Sequence, residues 1–145
     1  MMDPNLPELT SFGTLLKFAL ALEESTAERA ATAADGATDA GQRERLSSCG
    51  KRHARRAREL ERMRRERLNE VVLQPISGMD RERYLPPDFP APGGGPEIKQ
   101  LQALEETIAR FYDDAATIAG NVLPGLDRKL RKLADESRRL AAELG

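Results

Sequence analysis

The chain has 145 residues, a net charge of -1, 4% aromatic residues and no tryptophan. That length suits one domain with a single core, the balanced charge gives no whole-molecule case for nucleic acid or a membrane surface, and a lone cysteine, Cys49, excludes an internal disulfide and suits a reducing compartment. With so few aromatics the core must be built from Leu, Ala and Ile, a helical composition.

Residues 1–8 show no basic region ahead of an apolar run, so no secretory signal is expected. The longest apolar stretch, Phe18 to Leu22, is far shorter than the roughly 20 residues a spanning helix needs. A soluble cytoplasmic protein with no membrane partner is the expectation.

The first predicted helix covers about 10–35, with Thr10 or Ser11 as its cap and Phe12, Leu15, Leu16, Ala19, Leu22, Thr26, Ala30 and Ala33 at helical spacing. Asp35-Gly36 ends it. The second covers about 42–73, with Leu46, Cys49, His53, Ala57, Leu60, Leu68 and Val71 along one stripe. Residues 51–67 hold nine Lys or Arg against three Glu, a local charge of +6 in a chain whose net charge is -1. Such a run is read first as a solvated or docking face. It has no interleaved aromatics and no recognition motif, so nucleic acid binding through phosphate contacts is the third-ranked reading and is not favoured.

Prolines and glycines between Pro75 and Pro96 rule out regular structure over most of residues 74–96. Tyr84, Pro86, Pro87, Phe89 and Pro90 form an aromatic-proline cluster there, expected to pack on the side of the bundle, with a docked protein partner as the alternative. The third helix covers 97–122 (Ile98, Leu101, Leu104, Ile108, Tyr112, Ala115, Ala119, Val122). Pro124-Gly125 forces a turn into the fourth, 125–144 (Leu126, Leu130, Leu133, Ser137, Leu140, Leu144). The links run short, long, short. Short links join antiparallel neighbours, and an extended 74–96 could span about 70 Å. The predicted fold is therefore all-α: two helical hairpins joined by one long crossover between helices 2 and 3, in a single domain over 1–145.

Leu22-Glu23-Glu24-Ser25-Thr26-Ala27 matches Leu104-Glu105-Glu106-Thr107-Ile108-Ala109, and each is followed by an alanine pair at the same offset, Ala33-Ala34 and Ala115-Ala116. Glu23 and Glu105 fall on the apolar stripes of their helices, whereas Glu24 and Glu106 point away. A carboxylate on an apolar stripe is costly unless it is paired or holds a cation.

On these residues the chain resembles the ferritin-like superfamily, particularly its rubrerythrin-like members, over about 10–73 and 97–145. Glu105 with Tyr112 seven residues on is similar to that family's glutamate–tyrosine pair, and Glu23 with Ala30 is the same pattern without the tyrosine. The resemblance implies an antiparallel ferritin-like four-helix bundle, a homodimer burying part of the long second helix, and two metals held by Glu-x-x-His on the second and fourth helices. The chain departs from that motif. The second helix reads Gly50-Lys51-Arg52-His53, and the fourth has no histidine, with Asp127-Arg128-Lys129-Leu130 and Glu136-Ser137-Arg138-Arg139 as alternative registers.

Two readings of the site stay open. In one, Glu23, His53 and Glu105, helped by Asp127 or Glu136, hold iron or another divalent metal in an oxidoreductase or iron-handling protein. In the other, which the missing ligands favour, no cofactor is bound, and His53 with an inward arginine such as Arg64 neutralises the two glutamates. The protein is then a non-catalytic structural or interaction protein with a degenerate di-iron site. Cys49 is read as a small buried residue, with a redox role beside His53 as the sharper alternative.

Overall fold

A computed structural model of the chain describes residues 6–66, 73–85 and 97–145. The described residues form an all-helical bundle: α1 Phe12–Gly36, α2 Ala40–Glu66, α3 Glu97–Val122 and α4 Leu126–Leu144, with a 3-10 turn at Arg81–Tyr84 and no strand. None of these helices is long and apolar enough to cross a membrane.

The helices start and stop where local chemistry dictates. Ser11 rather than Thr10 caps α1, its hydroxyl accepting from the Thr14 amide while Thr14 Oγ1 accepts from the Ser11 amide. The Asp39 carboxylate accepts from the Gln42 amide at 2.8 Å, so α2 begins at Ala40, two residues earlier than predicted. Gly125 takes a left-handed φ of 94°, which a side chain there would strain, and α4 starts just beyond it. The last turns predicted for the second helix lie partly outside the described residues (67–72), while Leu73 is in a turn and exposed.

The chain after α2 returns to the start of α1. The Phe12 amide donates to the Gln74 carbonyl at 2.8 Å and the Ile76 amide to the Thr10 carbonyl at 3.1 Å. The link then docks through Tyr84. Its ring lies edge-on to Phe18 and Phe111, which stack on each other at 5.3 Å, and its hydroxyl donates to Asp114. The expected packing of the aromatic-proline cluster against the bundle is thus seen for Tyr84, while Pro86, Pro87, Phe89 and Pro90 lie outside the described residues.

α1 packs chiefly on α2, and α3 on α4. Both faces are lined with Leu and Ala, and the fully buried Phe12, Phe18, Leu22, Leu101, Leu104, Ile108 and Phe111 anchor the core. At Gly50 the helices come unusually close. A Cβ there would lie 3.3 Å from the Ala27 carbonyl oxygen and 3.5 Å from Ala30 Cβ.

Candidate metal centre

Glu23, His53 and Glu105 meet in the middle of this core, each with no solvent exposure. Each arrives there by helical periodicity, one turn from the buried Ala19, Cys49 or Leu101, while Glu24 and Glu106 are exposed as their azimuths require. His53 lies between the carboxylates: Nδ1 bonds Glu23 Oε1, and Nε2 bonds Glu105 Oε2 at 2.6 Å.

Glu23 is the better served of the two acids. Its Oε2 accepts from the Tyr112 hydroxyl and pairs with Arg56 Nη1 at 3.4 Å. Arg56 carries the network to α4, donating to Ser137 Oγ at 2.8 Å and to Glu136 Oε1 at 2.9 and 3.2 Å. Glu105 has fewer partners. Cys49 Sγ donates to its Oε2 at 3.4 Å, and its Oε1 is buried with no hydrogen-bond partner among the described residues.

The asymmetry follows from the repeat. Tyr112, seven residues beyond Glu105 on α3, serves Glu23 on α1. The equivalent position on α1 is Ala30, which supplies no hydroxyl for Glu105 and packs where Gly50 brings α2 close.

These contacts set the charges. Burial would push the Glu23 carboxyl up, but the charge and hydrogen bond of His53, the Arg56 guanidinium and the Tyr112 hydroxyl hold it below the ordinary carboxylate value. Burial would likewise depress His53, yet the Glu23 charge and hydrogen bonds with Cys49, Glu105 and Glu23 hold it well above the ordinary imidazole value. Burial and the Glu105 charge push the Cys49 thiol up, and burial and the Glu23 charge raise Tyr112. An imidazolium and a guanidinium therefore face Glu23 in the interior, and the same imidazolium reaches Glu105.

The binuclear iron centre implied by the family resemblance does not fit these residues. The Glu of a Glu-x-x-His motif on the second helix would fall at Gly50, where even a Cβ is tight against α1. On α4, Glu136 and Ser137 reach the site but offer no imidazole, and both bond Arg56. The other register, Asp127-Arg128-Lys129-Leu130, puts Asp127 beside Gly120 near the helix start, away from the glutamates. The Arg56 guanidinium, against Glu23 Oε2, supplies a fixed positive charge at one of the two carboxylates that such a binuclear centre would need.

The inward arginine is Arg56 and not Arg64, which pairs with Glu61 at 2.6 Å near the surface. Counting Arg56 with the exposed basic run hid it, although it lies one turn from His53. Other members of that run are also engaged: Arg65 approaches Glu61 at 3.9 Å and Arg52 approaches Glu143 at 3.8 Å. Comparison of the chain with protein-family models, curated proteins and solved structures finds no match.

Proposed function

We propose that this protein is a non-catalytic structural or interaction module: an antiparallel, ferritin-like four-helix bundle in which a network of paired side chains stands where relatives of that fold hold two metals. The observation that carries this reading is the placement of His53 and Arg56, two cationic side chains set directly against the two repeat-related glutamates. Repeated hairpins with a short link each, at Ala37–Asp39 and Leu123–Gly125, and the return of the chain after α2 to the start of α1 support the ferritin-like topology.

Removing one member of a buried ion-pair set is strongly destabilising, because the survivor is left charged in a medium that solvates it poorly. The network is thus a reason for the two halves to stay together in one register, and its role is structural specificity. The protein acts as a cytoplasmic homodimer, formed through the long α2, and presents its surface to a protein partner.

Aerobic loading with Fe(II), followed by desalting and elemental analysis, tests the assignment. Stoichiometric iron should not be retained, and oxygen consumption should match buffer. Two irons per chain, lost in His53→Ala, would overturn the reading. Light scattering should give twice the chain mass; a monomer would remove the dimer from the proposal.

A further inference from the structure

The geometry points to a mononuclear site for a thiophilic divalent cation, Zn(II), ligated by Cys49 Sγ, His53 Nε2 and the Glu105 carboxylate, with Glu23 as the residue that orients the imidazole. These three donor atoms all lie within 4.8 Å of one another, and all three residues are buried. Cys49 and His53 are four apart on α2 and so share one face, which α3 meets with Glu105.

Tetrahedral zinc holds sulfur at about 2.3 Å and nitrogen or oxygen at about 2.0–2.2 Å, which sets ligand atoms about 3.3–3.8 Å apart. The Cys49–Glu105 separation of 3.4 Å already satisfies this. The His53–Glu105 separation of 2.6 Å must open to admit an ion, a widening of roughly 0.8 Å that one side-chain torsion can absorb.

Two independent features point to a cation. The first is Glu105 Oε1, a fully buried carboxylate oxygen without a hydrogen-bond partner among the described residues, which an ion can take as a further donor. The second is the way His53 is held. Its Nδ1 is committed to Glu23, which Tyr112 and Arg56 fix in turn, so Nε2 is the nitrogen directed at Cys49 and Glu105. A carboxylate on one ring nitrogen and a metal on the other is how protein zinc sites fix the tautomer and raise imidazole basicity.

Charge is conserved in the exchange. The ion displaces one proton from the Cys49 thiol and one from His53 Nε2, both released to solvent, so two positive charges replace two and the interior balance with Glu23 and Arg56 is kept. A thiolate in the donor set selects zinc over magnesium or calcium. A groove of about 430 Å³ between the start of α2 and the end of α4, lined by Cys49 with Glu44, Arg45 and Glu143, lies on the solvent side of the thiol.

The test uses the full-length chain, stripped with chelator and titrated with Zn(II) against a chromogenic chelator, then with Co(II) read by absorption. One ion should bind per chain, and the Co(II) form should show a thiolate-to-cobalt charge-transfer band in the near ultraviolet. Cys49→Ala leaves the His53–Glu23 pair in place. It should keep the helical circular dichroism, lose the band, and weaken zinc binding by more than the roughly 10–100-fold that losing an orienting partner costs. Cys49→Ser, closer in size, should lose the band equally, whereas Glu23→Gln should keep it. Failure to saturate at one ion per chain, or a band that survives both cysteine variants, overturns the site. Such a failure would leave the non-catalytic reading standing, because that reading concerns iron retention and oxygen consumption.

Discussion

Glu23 and Glu105 occupy equivalent places in two copies of one helical pattern, and their surroundings differ. Glu23 accepts from His53, Tyr112 and Arg56, while Glu105 has His53, a weak thiol donor and one oxygen without a hydrogen-bond partner among the described residues. One substitution between the repeats, alanine for tyrosine at position 30, goes a long way to account for the difference. A carboxylate surrounded by donors is fixed in its charged form and holds its neighbours. A carboxylate left short of donors keeps capacity for something else.

The largest effect should come from attacking the better-held acid. Glu23→Gln leaves His53 and Arg56 charged without their shared partner and should cost about 3–5 kcal/mol in denaturant unfolding. Glu105→Gln should cost clearly less, about 1–3 kcal/mol, since Glu105 pairs with His53 alone and not with a guanidinium as well. Equal losses would break the comparison. Tyr112→Phe removes a single hydrogen bond to ionised Glu23 and should cost about 1.5–2 kcal/mol.

Stability should also depend on pH in a direction the contacts set. Glu23 titrates below its unfolded value, so its contribution is complete above about pH 4.5 and is lost as pH falls through the folded value. His53 titrates above its unfolded value, so its contribution is complete below about pH 6.5 and is lost as pH rises through the folded value. Thermal melts should therefore be highest between those limits and fall on the alkaline side, and His53→Gln should flatten that alkaline fall. The smallest effect is Arg64→Ala, whose exposed pair with Glu61 lies outside the network; its melting temperature should match wild type.

Much of the fold was legible in the sequence, because apolar periodicity and local stop signals act within a few residues. Ser11, Asp35-Gly36 and Pro124-Gly125 mark real helix ends, and 97–122 is the observed span of α3. The inward azimuths of Glu23, His53 and Glu105 were legible for the same reason. Which arginine turned inward was not. Nine basic residues crowd residues 51–67, and a guanidinium on a long stem can be drawn inward from the edge of a face, so the choice of Arg56 depends on Ser137 and Glu136 waiting on α4. The bond from Tyr112 on α3 to Glu23 on α1 is equally invisible along the chain, since the spacing of Glu105 and Tyr112 says nothing of a neighbouring helix.

The central claim is that a charged His53 spans both carboxylates. Nitrogen-15 NMR of the metal-free protein at pH 7 reads this directly. Both ring nitrogens should carry protons, with imidazolium shifts that persist well above the ordinary histidine titration range. A single neutral tautomer that titrates near pH 6.5 would contradict the account.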